Sequence, residues 1–188
     1  MSASAQKGNT YFTQKEWIER AQVFEQSSDS TRTMVAYYYA YTEDPTTPEG
    51  IIALKKSNLL KAFFRNKILA GIQGVWKLTT YGSNWGHTKT GSDILQKYVR
   101  INGNNATFYQ SNLKTGKHEV LQEEMLNFLE LESNDYHLLN FRYANNEIWS
   151  FSVKDDVLSI TEIGKVEGKF IGEIVCGNSE YYYSKVKN

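Results

Sequence analysis

Cysteine is nearly absent from this chain of 188 residues: Cys176 is the only one, so no internal disulfide can form. It ends the apolar run Ile171-Gly172-Glu173-Ile174-Val175-Cys176, where a lone thiol is expected to be buried and inert. Two prolines and 13 glycines exclude a collagen-like or low-complexity chain. No apolar run approaches the roughly 20 residues that cross a bilayer as a helix. Neither sign of charge is in excess, since 21 Lys and Arg balance 21 Asp and Glu, and this argues against a dedicated nucleic-acid binder. Metal and nucleotide motifs are missing as well. The histidines His87, His118 and His137 lie far apart, and no His-x-His, His-Glu-x-x-His, Cys-x-x-Cys, P-loop, Gly-x-Ser-x-Gly or dinucleotide fingerprint occurs. No catalytic residue, metal ligand or cofactor is assigned, and an enzyme is the least favoured class.

What is present is a globular composition, 40% hydrophobic and 14% aromatic, long enough to bury a core. Two regions differ in character. Residues 1–70 read as a helical and extended segment expected to pack on the remainder, residues 71–188. Thr13-Gln14-Lys15-Glu16 matches a capping box, and Trp17, Ile18, Ala21 and Phe24 follow at helical spacing, so a helix is expected over about 14–26. Thr33–Thr42 reads as strand or helix, its four tyrosines favouring strand. Pro45 and Pro48 mark a loop, and Glu49–Leu69 turns helical again with Leu60, Phe63, Phe64 and Ile68 on one face. Lys55, Lys56, Lys61, Arg65 and Lys67 follow one another with no acid among them, as on a solvated face or a basic docking helix.

The second region alternates in short runs: Gly74–Tyr81, Ile94–Asn102, Asn105–Ser111, His118–Glu123, Leu126–Glu132, Tyr136–Tyr143, Glu147–Lys154, Val157–Ile163, Lys169–Cys176 and Glu180–Val186. Gly-, Asn- and Asp-rich separators suit tight hairpins, and neighbours joined by short hairpins make an up-and-down antiparallel meander. Such a meander loses its exposed edges most simply by closing into a β-barrel. The fold expected is therefore mainly β, an up-and-down antiparallel barrel with an N-terminal helical segment. Glu123-Glu124 and Asp155-Asp156 are expected in solvated turns, and His87, in the loop Gly82–Asp93, at the barrel mouth and exposed.

The first strand opens Gly74-Val75-Trp76-Lys77-Leu78. A Gly-x-Trp at the start of an up-and-down barrel resembles the lipocalin and wider calycin group, in particular secreted bacterial lipocalin-like proteins. The resemblance covers roughly residues 71–188. It implies that Gly74 and Trp76 are structural, the indole closing one end of the barrel under a stacked cation. An Arg commonly supplies that cation; here Lys185 and Lys187 are the cations near that place. It also implies non-catalytic binding of a small apolar molecule inside the barrel. Strand alternation then turns Leu78 and Thr80 inward with Trp76, and similarly Phe108, Leu139, Phe141, Tyr143, Trp149, Phe151 and Val153. The candidate ligand-binding set is Phe108, Phe141, Tyr143, Trp149 and Phe151, with Tyr143 as the polar handle. The alternative is a filled barrel serving as a protein-interaction module, docking a partner through the N-terminal helix or the tyrosine-rich surfaces Tyr37–Tyr41 and Tyr181–Tyr183. Ala3-Ser4-Ala5-Gln6 has the small-residue form of a signal-peptidase site, which favours a periplasmic or cell-surface location over a cytoplasmic one.

Overall fold

The structure, a computed structural model, describes residues 12–91, 94–130, 137–168 and 170–186. Lys187 and the Ala3–Gln6 motif lie outside the described residues. The chain divides into two compact units, Met1–Phe64 and Arg65–Asn188. None of its helices is long and apolar enough to cross a membrane.

The first unit is helical. α1 (Gln14–Gln26) begins at the expected capping box: Glu16 N donates to the Thr13 hydroxyl, and Thr13 N donates to the Glu16 carboxylate at 2.6 Å. These two bonds satisfy two of the donors that a helix start leaves open. They also hold the Glu16 carboxyl below its ordinary pKa. α2 (Ser30–Glu43) replaces the strand expected over Thr33–Thr42. Asp29 caps it by accepting from Arg32 N at 3.1 Å, and Ala36, Tyr37 and Ala40 recur at helical spacing to meet Ala21 and Ala53 in a buried cluster. Tyrosine favours strands through packing on a pleated surface, and no such surface is offered here. Instead the Tyr37 hydroxyl accepts from Lys56 Nζ at 2.7 Å, and Trp17 stacks on Tyr39 at 4.7 Å. α3 (Pro48–Ile72) starts at Pro48, whose missing N–H costs nothing in a first turn. Leu60 and Phe64 are half-buried, but Phe63 does not share their face and is 59% exposed.

The second unit is mainly β. Its strands are β1 (Gly74–Ser83), β2 (Gly86–Lys89), β3 (Leu95–Asn102), β4 (Asn105–Asn112), β5 (His118–Met125), β6 (Asn127–Phe128), β7 (Phe141–Arg142), β8 (Glu147–Lys154), β9 (Val157–Glu167), β10 (Phe170–Glu173) and β11 (Ser179–Lys185). All pairings are antiparallel. The order is β5-β4-β3-β1-β11-β9-β8-β7-β6, with β2 on β1 and β10 on β9. The first strand thus pairs with the last, and the strand order is circular except for one missing step, β5 to β6.

The sheet is therefore not closed into the expected barrel. The runs Leu126–Glu132 and Tyr136–Tyr143 were to supply two full strands. Part of each lies outside the described residues, and the described parts pair over only two residues apiece. β5 and β6 are separated only by Leu126, too short a link to turn one back on the other as a hairpin. The Arg65 guanidinium donates to the carbonyls of Leu129 and Leu138, and Leu126 N donates to Asn104 O at 2.7 Å. Asn140 N closes a turn on His137 O, so Leu139 is not an inward strand residue.

Gly74 has φ +121°, a conformation L side chains rarely adopt, and it lets the chain leave α3 and enter β1 directly. Trp76 follows, fully buried, its Nε1 donating to Ile72 O at 2.8 Å. Lys185 Nζ lies 4.9 Å from the indole centroid, so a lysine fills the place of the stacked cation. The core around it includes Leu78, Val99, Ile101, Phe141, Leu158 and Ile160. Asp155 and Asp156, at φ +51° and +59°, make the tight β8–β9 turn as expected. Glu123 and Glu124, by contrast, lie within β5. Thr80 is only half-buried, because the β1–β11 register shifts between Leu78 and Thr80, and Val153 near the end of β8 is exposed. Cys176 is exposed, contrary to expectation. The strand run ends three residues before it, and Ile174 N makes the last pairing, to Ile163 O.

Candidate functional site

The β1–β3 ladder ends at the pair Lys77–Tyr98. Beyond it β1 carries β2 on that edge, from Thr80–Lys89 to Ser83–Gly86. The hairpin closes tightly at Gly82, where a Cβ would meet Gly86 O at 2.2 Å. Thr90 extends the contact, its N and Oγ1 donating to Thr79 O at 2.9 and 3.1 Å. β3 meanwhile runs on to Leu95, paired only with β4. The two strands part, and an open cavity of about 740 Å3 lies where they do, walled by Leu78, Thr88–Gly91, Leu95–Tyr98, Phe108, Tyr143, Trp149, Ile160, Tyr181 and Tyr183, among others. A cavity of several hundred Å3 has the size of a small-molecule site, and its wall mixes aromatic and polar groups in about equal measure.

Of the five residues read as ligand-binding, Phe108, Tyr143 and Trp149 line this cavity together. Tyr143 and Trp149 stack at 5.5 Å, and Trp149 tilts against Tyr181 at 6.1 Å. Phe141 and Phe151 do not line it. They meet edge to face at 5.2 Å inside the core, with Phe128 stacked on Phe141 at 4.4 Å. Gly74 and Trp76 are likewise not on its wall. Tyr181 and Tyr183, read as part of a surface cluster, belong to the wall, whereas Tyr182 turns the other way and donates to Glu180 at 3.0 Å. Strand alternation of those three tyrosines carried that signal. The lysines of the wall, Lys77, Lys89 and Lys97, had no distinguishing pattern in the sequence.

Tyr143 is the anomaly of the site. It is 4% exposed, yet its hydroxyl has no hydrogen-bond partner among the described residues. Burial, reinforced by the Glu124 carboxylate, raises its pKa well above that of a free phenol, and burial raises that of Tyr183 as well. Both therefore stay neutral at physiological pH. The nearby indole of Trp149 is served, Nε1 donating to Glu147 Oε2 at 3.1 Å.

A raised phenol pKa means the folded state holds the proton more tightly than the unfolded chain. Its contribution is complete below the unfolded value of about 10 and is lost as pH rises through the folded value. The free energy of unfolding should fall above about pH 10, and fall less steeply in Tyr143→Phe. At pH 7 the same substitution should stabilise by about 1 kcal/mol, because it removes an unpaired buried hydroxyl. Urea unfolding of both proteins across that range checks both statements.

The histidines sit apart from the cavity wall, each in its own contact. His87 Nε2 lies 2.6 Å from Glu180 and is engaged in β2, not free in a loop; His118 Nδ1 lies 2.6 Å from Ser111 Oγ; His137 Nε2 lies 2.9 Å from Glu173. Among the described residues no group of three or more His, Cys, Asp or Glu side chains is placed to hold a metal ion. Comparison with protein-family models, curated proteins and solved structures finds no match to this chain.

Proposed function

We propose that this chain carries a divergent lipocalin-like domain whose curved antiparallel sheet binds a small, largely apolar molecule without transforming it. One observation carries the proposal: a cavity of about 740 Å3 whose wall gathers Phe108, Tyr143, Trp149, Tyr181 and Tyr183. The aromatic walls supply area to remove from water. The pairing of the first strand with the last, β1 on β11, and the cation over Trp76 support the kinship.

The test is a titration with the neutral apolar probe N-phenyl-1-naphthylamine, in a Trp17→Phe background so that emission comes from the second unit. Trp149 emission should change saturably, with a Kd below about 100 μM, equivalent to about −5.5 kcal/mol. An unchanged spectrum, with no saturation, refutes binding. An interaction module is the second reading, and it too has one observation in its favour. The α3 side chains Ile51, Ile52, Leu59 and Phe63 are all more than half exposed on one helix.

A further inference from the structure

The geometry points to a guest that carries an anionic group on its apolar body, held by Lys77, Lys89 and Lys97 where β1 and β3 part. This rests on the binding proposal above and adds the charge of the ligand to it. Three lysines contribute to the cavity wall, against one carboxylate, Glu147. They come from three separate strands. Lys77 closes the β1–β3 ladder opposite Tyr98, Lys89 sits in β2 opposite Thr80, and Lys97 precedes that ladder on β3.

None of the three has an ion-pair partner among the described residues, whereas the wall's carboxylate is already engaged by the Trp149 indole. Lysines scattered over a solvated face would need no explanation. Cations from three strands around one opening, with little countercharge, make a local field that favours an anion. Alternation puts Lys97 on the inner face of β3 with the buried Val99 and Ile101, while Lys77, between the buried Trp76 and Leu78, and Lys89, paired with Thr80 opposite Tyr182, reach the opening from the outer face. At the other end of the guest lie the aromatic side chains of Phe108, Trp149 and Tyr181. The site thus reads as two-ended: an aromatic wall and a cationic rim at the opening.

A matched pair of probes separates the charge from the body. 8-Anilinonaphthalene-1-sulfonate and N-phenyl-1-naphthylamine share the same ring system and differ by one sulfonate. The anionic probe should bind about tenfold more tightly than the neutral one, a difference of about 1.4 kcal/mol. The preference should shrink to about twofold in about 0.5 M salt, where charges are screened within a few ångströms. It should also vanish in Lys77→Gln/Lys89→Gln/Lys97→Gln, while the neutral probe keeps its affinity and thereby shows that the variant is folded. Equal binding of the two probes by the unaltered protein overturns the charge assignment and leaves apolar binding standing. So does a preference that survives the triple substitution. If neither probe binds, binding itself is refuted and the charge assignment falls with it.

Discussion

Trp76→Ala should lower the stability of the second unit by about 3–5 kcal/mol, in the range of large aromatic truncations in a packed core. The indole is completely buried among Ile72, Leu78, Val99 and their neighbours, so its removal leaves a void that the sheet cannot collapse around without breaking ladders. Two further contacts go with it. The Ile72 carbonyl loses the Nε1–H that satisfies it at the last residue of α3, and Lys185 loses the ring beneath its ammonium. Trp76→Phe separates these effects. It keeps most of the volume but not the hydrogen bond, and should cost about 1–2 kcal/mol. The urea midpoint of each variant decides the matter, and a midpoint unchanged in Trp76→Ala would remove Trp76 from any structural role.

The second large effect is expected at Arg65. Its guanidinium donates through Nε and Nη2 to Leu138 O at 3.0 and 2.8 Å and through Nη2 to Leu129 O at 2.9 Å, and Nη1 pairs with Glu130. Its plane also covers the Phe128 ring at 4.8 Å. One side chain thereby ties Leu129 and Glu130, after β6, to Leu138, before β7. Arg65→Ala leaves two carbonyls of buried residues without a donor and should cost about 2–5 kcal/mol. Arg65→Lys should recover only a part of this, because an ammonium cannot reproduce the planar fork that reaches both carbonyls. Hydrogen exchange localises the effect. Amides of Leu129 and Asn140, which donate within that segment or close its turn, should exchange faster in the alanine variant while those of β8 and β9 stay protected. Uniform loss of protection across the sheet would show that Arg65 acts globally and not on this segment.

How much of the cavity was legible in the sequence follows from the same residues. Phe108, Tyr143 and Trp149 were found because period-two alternation selects one face of a strand. The same rule also selected Phe141 and Phe151, because it names a face and not a depth: the inner face holds both the packed core and the hollow above it. Lys77, Lys89 and Lys97 were missed because they are unremarkable as a linear pattern. Only the parting of β1 from β3 brings them around one opening.

The sequence by itself determined what a few neighbouring residues can decide. The Thr13–Glu16 capping box set the start of α1, and Asp155-Asp156 set the β8–β9 turn. In each case the partners lie within about four residues of one another, so local geometry alone selects the outcome. Only the tertiary structure decided the rest. The Tyr37–Tyr41 run became helix because its small and aromatic residues met α1 and Lys56 and no neighbouring strand. Leu129 and Leu138, on either side of the β6–β7 connection, are tied by the Arg65 guanidinium, a partner far off in the chain. Such contests are between groups about fifteen to seventy residues apart in the chain, and a sequence pattern shows which groups need partners without showing which partners win.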